Sequence, residues 1–273
     1  MSTRLAVLGS PIAHSLSPAL HRAAYAVLGL DWRYEAIELA EGGLAPFLGG
    51  LDASWRGLSL TMPFKREVLP LLHSTSPMVE RVGVANTVLL REGRVEGDNT
   101  DVAGIIAAFA ESGVDHLSHV QIVGAGATAA SVLVAARELG ARTAQVFVRE
   151  PARARELSEL ARAEGVELLV ARLDQTAERA QVPDAVISTL PGGAVGGIAF
   201  PDEVRRRSVL FDVAYDPWPS ALASVWQAPV VSGLAMLLHQ AIAQVRIFVT
   251  GDRDGVLPDE DRVIAAMRAA VAL

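Results

Sequence analysis

Short apolar runs alternate with helical patterns along the first hundred residues. Each of three β-rich runs is followed by a helical stretch, which predicts a β-α-β-α-β-α order. The strands are predicted at 5–9, 32–39 and 57–61, and the helices begin at Pro18, at about 43 to 50 and at Lys65. Alternating residues at 85–90 and 94–96 then bracket a glycine turn, which predicts a β-hairpin.

A second series of strands and helices follows. A helical pattern runs from Asp101 to about Ser112, and the apolar run 120–123 leads into an alanine-rich helix. Later strands are predicted at 145–148, 167–171, 185–188, 209–212 and 229–231. Because helical or turn segments separate these strands, we expect a parallel sheet. The final helices, 234–250 and 258–272, have no strand after them and could return to the first unit.

Composition and charge exclude several classes of protein. The net charge of −7 argues against nonspecific binding to nucleic acids, and the chain contains no cysteine. The longest apolar runs fall far short of the roughly 20 residues of a membrane-spanning helix, and no signal-peptide pattern is found. We therefore expect a cytoplasmic protein without membrane or nucleic acid partners. The histidines lack metal-site spacing, and His14 and His21 are expected in a loop and on a helix surface.

The strongest local motif is a glycine-rich turn between the strand at 120–123 and the alanine-rich helix. It reads Gly124-Ala125-Gly126-Ala127-Thr128-Ala129. Gly124 permits the tight turn, Gly126 lets backbone amides approach a pyrophosphate, and the helix N-terminus that opens here favours the anion. An ordinary strand-to-helix turn is the alternative, but the surrounding βαβ pattern favours dinucleotide binding.

Residues after the next strand bear on the choice of dinucleotide. An acidic residue at the end of that strand would select NAD, but Val148 stands there, followed by Arg149 and, one turn later, Arg153. These arginines suit a 2′-phosphate, so NADP is predicted. Glu150 opposes that choice and keeps NAD as the alternative. Both arginines could also belong to a solvated helix start.

Two serines lie at the start of the first predicted helix. Ser17 before Pro18 is a suitable N-cap, which is the ordinary interpretation of that residue. Ser15 has no comparable structural role. Because two hydroxyls at a helix N-terminus can hold a carboxylate with help from the helix dipole, we predict that a small carboxylic acid binds here.

Lys65 is the only lysine in a chain that otherwise uses arginine. An amine can donate and accept protons near neutral pH, whereas a guanidinium cannot, so this lysine is a candidate for catalysis rather than a solvated surface residue. Asn86 opens the predicted hairpin, and Asp101 follows it. A lysine and an aspartate at strand ends form a plausible proton-transfer pair, although the aspartate could simply cap the following helix.

Together these strings resemble the shikimate dehydrogenases, which reduce 3-dehydroshikimate with NADPH. The resemblance covers essentially the whole chain and rests on six ordered matches. They are 9–11 with 15–18, 60–65, 85–87, 97–101, the glycine loop and 232–241. We expect an α/β fold of two α/β domains separated by a cleft. Residues 1–100, joined by the C-terminal helices at about 237–273, would form the substrate domain, and residues 101–236 the NADP-binding Rossmann domain.

The resemblance also implies roles for individual residues. Lys65 and Asp101 would be the catalytic pair. The substrate-binding residues would be Ser15, Ser17, Thr61, Asn86, Tyr215 and Gln240. The cofactor-binding residues would be Gly124, Gly126, Ala127, Arg149, Arg153, Thr189, Gly233 and Met236, and no metal site is predicted.

Two positions depart from the family pattern. The family usually has asparagine where Ser59 stands, and Asn-Arg-Thr where residues 148–150 read Val-Arg-Glu; neither position is expected to touch the chemistry. The implied activity is NADP-dependent interconversion of 3-dehydroshikimate and shikimate. The alternatives are an NAD-dependent quinate/shikimate dehydrogenase and a noncatalytic protein that senses nicotinamide dinucleotides. A monomer or a homodimer is expected.

Overall fold

The computed structural model describes residues 2–176, 181–191 and 198–273. The chain divides into two compact units. Unit 1 comprises Met1–Gly104 and Leu237–Leu273, and unit 2 comprises Ile105–Met236. Asp101 therefore belongs to unit 1, whereas the sequence pattern predicts that the second domain begins at this residue.

Unit 1 contains an N-terminal series of strands and helices and a C-terminal helical pair. Its elements are β1 (Thr3–Gly9), α1 (Ser17–Val27), β2 (Trp32–Glu38), α2 (Leu44–Gly49), β3 (Trp55–Leu60), α3 (Phe64–Glu67), a 3-10 turn (Leu69–Leu71), β4 (Ser74–Thr75), α4 (Pro77–Val82), β5 (Thr87–Arg91), β6 (Arg94–Asp98), and the start of α5 (Asp101–Glu111). It also includes α9 (Gly233–Thr250) from Leu237 onward, and α10 (Glu260–Ala270).

The sheet of unit 1 is mixed. Among the described residues its strand order is β2-β1-β3-β5-β6-β4. β1 pairs in parallel with β2 and β3, whereas β5 is antiparallel to both β3 and β6. As a result β1, β3 and β6 end at one edge of the sheet, and β5 begins at that same edge. This edge is where side chains from separate segments come together.

Both faces of this sheet are buried by packed side chains. Alternate residues of β1 point to opposite faces of the sheet, so they show what covers each face. Leu5 and Val7 pack with α1, α9 and α10, and Ala6 and Leu8 pack on the other side with α3 and α4. The C-terminal helices thus complete the core of unit 1. α9 is long and apolar enough to cross a membrane by length and composition, but 61% of it is buried inside the protein, as is typical of a core helix in a soluble protein.

Unit 2 is a parallel α/β unit. After α5 its elements are β7 (His119–Val123), α6 (Ala127–Glu138), β8 (Thr143–Val148), a 3-10 turn (Pro151–Ala154), α7 (Arg155–Glu164), β9 (Glu167–Arg172), a 3-10 turn (Leu173–Gln175), β10 (Ala185–Ser188), α8 (Asp202–Arg207), β11 (Val209–Asp212), a 3-10 turn (Ala223–Val225) and β12 (Val230–Ser232). The strand order is β12-β11-β10-β7-β8-β9. From β7 the chain first adds strands on one side of β7 (β8, β9) and then on the other (β10, β11, β12). In such sheets the crevice at the carboxyl ends of the central strands is the usual ligand site.

The predicted α/β class and the parallel second sheet are confirmed, and the predicted strands lie within a few residues of the observed ones. The helix predicted from Lys65 is a single turn, Phe64–Glu67. β4 and α4 were not predicted. The expectation for His21 was wrong, because this side chain is fully buried in α1 rather than on its surface.

Candidate active site

The candidate catalytic residues of unit 1 gather at the sheet edge described above. Lys65 follows the end of β3, Asn86 immediately precedes β5, and Asp101 follows the end of β6. Gln240 comes from α9, which packs on the same unit. Because strand ends fix these positions through backbone pairing, residues far apart in sequence are held at defined distances.

Lys65 and Asp101 form a buried ion pair. Lys65 Nζ lies 2.6 Å from Asp101 Oδ2, and the two side chains are only 11% and 4% exposed. A charge-assisted hydrogen bond of this length in a water-poor site fixes the amine in one place. The sequence pattern predicts these two residues as a pair, and the structure brings them into direct contact.

Asn86 holds the other oxygen of this carboxylate. Its Nδ2 donates to Asp101 Oδ1 (2.8 Å) and to Thr100 Oγ1 (2.9 Å), with a longer contact to Gln240 Oε1 (3.4 Å). Gln240 Nε2 in turn donates to the Leu237 carbonyl (2.8 Å). Lys65, Asp101, Asn86 and Gln240 therefore form one buried polar cluster.

The alternative role of Asp101 as a helix cap is filled by another residue. Asn99 Oδ1 accepts the backbone N–H groups of Asp101 (3.0 Å) and Val102 (3.3 Å) at the start of α5. The Asp101 carboxylate is instead engaged by Lys65 and Asn86. Because Asn99 caps the helix, the Asp101 carboxylate is available to orient the Lys65 amine.

The other predicted substrate-binding residues of unit 1 also follow strand ends. Thr61 comes directly after β3, and Ser15 and Ser17 come after β1. Thr61 N donates to the Leu8 carbonyl (2.9 Å), which ties the end of β3 to β1. Ser17 does not act as an N-cap, because it is the first helical residue and Leu16 stands at the cap position. Ser15 Oγ accepts the Ser17 N–H (3.3 Å), so the capping-type bond comes from the serine to which sequence reasoning assigned no structural role.

A cluster of buried polar side chains, linked to Asn86 through Gln244, was missed by sequence reasoning. Its members are His21, Tyr34, Ser59 and Gln244, all of them inaccessible or nearly so. Burial lowers the pKa of His21 from 6.5 to about 3, so the ring is neutral. Ser59, whose departure from the family pattern was expected to leave the chemistry untouched, donates to Gln244 Oε1 (2.7 Å) and so is connected to this site.

One sequence signal could have revealed this group. Gln244 lies four residues after Gln240 on an otherwise apolar part of α9, and residues four apart share a helix face. A second glutamine on the core-facing side of a helix requires hydrogen-bond partners, because an unpaired buried amide costs free energy. The pattern therefore indicated a polar network within the core.

The glycine-rich loop of unit 2 has the predicted shape. Gly124 has φ +99°, and a Cβ there would lie 2.6 Å from Thr189 Oγ1, so only glycine fits. Thr189 Oγ1 donates to the Val123 carbonyl (2.8 Å), which holds the ends of β10 and β7 together. Gly126 has open space where a Cβ would lie, and α6 begins at Ala127. Backbone amides here can approach a ligand.

A cavity of about 390 Å³ lies beside this loop, large enough for part of a dinucleotide. It is lined by Gly124, Ala125, Gly126, Phe147, Val148, Arg149, Arg153, Leu173, Leu190 and Pro191. Two arginines beside a helix N-terminus suit a phosphate group. Arg153 Nε also contacts Glu150 Oε2 (3.4 Å), with both side chains highly exposed. The glycine cradle, the apolar walls and the cationic side fit an NADP-type dinucleotide.

The remaining predicted residues lie after the last strands of unit 2. Gly233 packs against the backbone after β11, since a Cβ at Gly233 would collide with the Val213 carbonyl group. Tyr215 follows two residues later in that loop and is half-buried, and Met236 is buried in the first turn of α9. The loop that carries Tyr215 and the start of α9 at Gly233 are therefore neighbours at the carboxyl edge of this sheet.

Comparisons with known proteins agree with these features. The family model of the shikimate dehydrogenase substrate binding domain matches residues 7–88. A curated shikimate dehydrogenase (NADP(+)) of Thermus thermophilus is 36% identical over 276 residues, covering 99% of each chain.

Two solved structures also resemble the chain over nearly its whole length. Shikimate dehydrogenase of Mycobacterium tuberculosis has a TM-score of 0.84 at 35% identity, covering 98% of this chain and 99% of that one. Shikimate 5-dehydrogenase of Thermus thermophilus, solved with NADP(H) and shikimate, has a TM-score of 0.80 at 32% identity, with the same coverage. The chain belongs to the shikimate dehydrogenase family, as its sequence motifs predicted.

Proposed function

We propose that this protein is an NADP-dependent shikimate dehydrogenase that interconverts 3-dehydroshikimate and shikimate. One observation carries the proposal. Lys65, the single lysine of this chain, is buried with its Nζ 2.6 Å from Asp101 Oδ2. A lysine kept away from solvent and joined to a carboxylate matches the need for a positioned proton donor. The family relationship supplies the substrate and the reaction.

Lys65 delivers and removes the proton in this proposal. When bound, NADPH supplies the hydride that reduces the ketone carbon. Lys65 Nζ then gives a proton to the oxygen that gains negative charge, and takes it back in the oxidation direction. Asp101 orients the amine through its 2.6 Å contact, and the Asn86 amide keeps the carboxylate from rotating. Arginine would keep the charge but could not transfer the proton.

Unit 1 would bind the substrate. Ser15 and Ser17 would hold the carboxylate at the start of α1, where the helix dipole favours an anion. Thr61, Asn86 and Gln240 would contact the ring oxygens, and Tyr215 of unit 2 is the one proposed substrate contact that lies outside unit 1. The support for this arrangement is that Asn86 and Gln240 already lie within the buried cluster around Asp101.

Unit 2 would bind the cofactor. Gly124, Gly126 and Ala127 would take the pyrophosphate, with Thr189 supporting the loop, and Gly233 and Met236 would lie near the nicotinamide. Arg149 and Arg153 would pair with the 2′-phosphate. The Arg153–Glu150 contact (3.4 Å) competes with that pairing, so NAD stays the alternative to be tested.

The cellular setting follows from the same proposal. A biosynthetic reductase that uses a freely diffusing cofactor and a small carboxylic acid is suited to the cytoplasm. The acidic net charge of −7 supports the absence of nucleic acid partners. The protein would act as a monomer or a homodimer.

A steady-state assay tests the function. Oxidation of shikimate and of quinate is followed by nicotinamide absorbance with NADP and with NAD, which gives four initial-rate comparisons. We expect the highest kcat/KM for shikimate with NADP. A preference for quinate with NAD would assign the alternative activity, and dinucleotide binding without turnover of either acid would identify a sensor.

A further inference from the structure

The orientation of Gln244 is determined by its surroundings. Its Nε2 donates to the Asn86 carbonyl (3.2 Å) and to Thr87 Oγ1 (3.0 Å). A backbone carbonyl can only accept, so the amide nitrogen must face Asn86. The Gln244 Oε1 consequently faces Ser59 Oγ (2.7 Å) and His21 Nε2 (3.2 Å).

His21, supported by Tyr25 and Tyr34, fixes the oxygen end of the Gln244 amide. Because Gln244 Oε1 only accepts, His21 Nε2 carries the proton, and His21 Nδ1 accepts from the Tyr25 hydroxyl (3.0 Å). The His21 ring stacks on Tyr34 with 4.0 Å between ring centroids. The Tyr34 hydroxyl donates to Ser59 Oγ (2.6 Å). Gln244 is therefore locked in one amide orientation.

The same reasoning orients Asn86. The Thr100 backbone N–H (2.8 Å) and the Thr87 hydroxyl (2.8 Å) both donate to Asn86 Oδ1. Asn86 Nδ2 must then face Asp101 Oδ1 (2.8 Å). Each donor in the series from Tyr25 and His21 through Gln244, Thr87 and Asn86 points towards the Asp101 carboxylate, and Lys65 donates to its other oxygen.

We propose that Gln244 is a positioning residue for the reaction. It fixes Asn86 through the backbone carbonyl and through Thr87, and Asn86 then holds the Asp101 carboxylate that orients Lys65. This inference rests on the proposed function, because it assigns Gln244 a place behind the same proton-transfer pair. Gln244 touches neither Lys65 nor Asp101 in this scheme and acts through Asn86.

The first test compares two glutamine-to-methionine variants. Gln244→Met keeps the volume but removes both hydrogen bonds to the Asn86–Thr87 segment. We expect kcat to fall about tenfold while KM for shikimate changes less than about threefold. Gln121→Met is the control, because Gln121 is an equally buried glutamine of β7 in unit 2, whose Nε2 contacts Gln145 Oε1 (3.3 Å). Its kcat should stay within about twofold of the unsubstituted protein.

The second test uses Thr87, and its single variants do not depend on the folding of Gln244→Met. Thr87→Val removes the hydroxyl link and should lower kcat by a similar factor, whereas Thr87→Ser keeps the hydroxyl and should retain kcat. The double variant Gln244→Met/Thr87→Val should lose about as much as Gln244→Met alone, because both residues act through Asn86. Equal losses in Thr87→Val and Thr87→Ser would overturn the proposal, and so would additive losses in the double variant.

A readout without turnover separates this inference from the proposed function. Side-chain amide NMR signals of Asn86 should shift and exchange faster with solvent in Gln244→Met, and stay unchanged in Gln121→Met. An unchanged Asn86 signal, or an unchanged kcat in folded Gln244→Met, would refute the positioning role. Absence of shikimate oxidation in the unsubstituted protein would refute the activity, and the NMR comparison would still decide the role of Gln244.

Discussion

Two cation–carboxylate pairs, one in each unit, differ in almost every physical respect. Lys65 and Asp101 lie 2.6 Å apart with side chains 11% and 4% exposed. Arg153 and Glu150 lie 3.4 Å apart with side chains 77% and 71% exposed. The first pair is held by Asn86 and shielded from water, whereas the second is open to solvent and ions.

This difference determines what each pair can do. Separating the partners of a buried pair costs much free energy, because it leaves an uncompensated charge in the protein interior. The distance between the two groups is therefore strongly maintained. An exposed pair contributes about 0 to 1 kcal/mol and is weakened by salt, so a ligand phosphate can replace the carboxylate at little cost. The buried pair suits proton transfer, and the exposed pair suits adjustable recognition of a cofactor.

The largest effect is expected from Lys65→Arg. The guanidinium keeps the positive charge opposite Asp101 but cannot release a proton near neutral pH, so kcat should fall by about a thousandfold. The dissociation constant for shikimate, measured by calorimetry, should change far less. Turnover close to that of the unsubstituted protein would remove Lys65 from the mechanism.

Asp101→Asn should have the next largest effect. An amide offers one oxygen where the carboxylate offers two, so either Lys65 or Asn86 loses its acceptor. We expect kcat to fall about a hundredfold, with a smaller change in KM, in a protein whose circular dichroism is unaltered. A change confined to KM would make Asp101 a binding group instead.

Burial of His21 should make folding depend on pH. The folded-state pKa of His21 is lowered from 6.5 to about 3, so the unfolded chain binds the proton first as pH falls. The free energy of unfolding should decrease below pH 6.5 by up to about 1.4 kcal/mol per pH unit. Denaturant titrations between pH 6.5 and 5 measure this slope.

Two variants sharpen that measurement. His21→Phe should reduce the slope, because phenylalanine binds no proton in the folded or the unfolded chain. The slope that remains includes His119, whose pKa is also lowered by burial. His73→Gln is the control, because His73 is an exposed histidine of the same unit and should leave the slope in place. The explanation fails if both variants retain the slope of the unsubstituted protein.

The smallest effect is expected from Glu150→Gln. Removal of this carboxylate frees Arg153 and removes a repulsion from the 2′-phosphate, so KM for NADP should fall by about two- to fivefold at low salt. KM for NAD should change less, and the gain should shrink as salt rises. Glu159→Gln is a matched control, since Glu159 pairs with Arg155 (3.1 Å) outside the cavity-lining residues. An equal effect in both variants would point to general charge rather than to this contact.

Much of the fold could be predicted because buried strands leave a strong signal. The run Val120–Val123, which is apolar except for Gln121, and the glycines after it indicate a buried parallel strand and a turn without any knowledge of tertiary contacts. Short elements were harder. β4 has two residues and pairs with β6, so its stability comes from a distant segment.

α4 shows that some missed elements did carry local signals. Ser76 Oγ accepts the Val79 N–H at its start, Pro77 occupies the first turn, and Gly83 ends it with φ +74°. These are ordinary helix start and stop signals. The six-residue helix was overlooked because it is too short to show a hydrophobic period.

The candidate site was predictable in its chemical groups but not in its supports. Lys65 was identified because it is chemically unlike its arginine background, and Asp101 because it follows a hairpin. The roles of Asn99 and Gln244 depend on which backbone amides and carbonyls come within reach after folding. Sequence spacing cannot give those contacts, since Gln244 and Asn86 are 158 positions apart.

Unit 1 is built from two segments of the chain that are separated by the whole of unit 2, and this has a consequence for biosynthesis. Residues 237–273 emerge from the ribosome after all of unit 2, yet they provide the helices that cover Leu5 and Leu20. A nascent chain therefore holds an open apolar face, and lacks Gln240 and Gln244, until residues 237–273 have been synthesised. Proteolytic loss of residues 237–273 would remove Gln240 and Gln244 together with the cover of this apolar face, so a chain cut there should lose stability and the proposed activity at the same time.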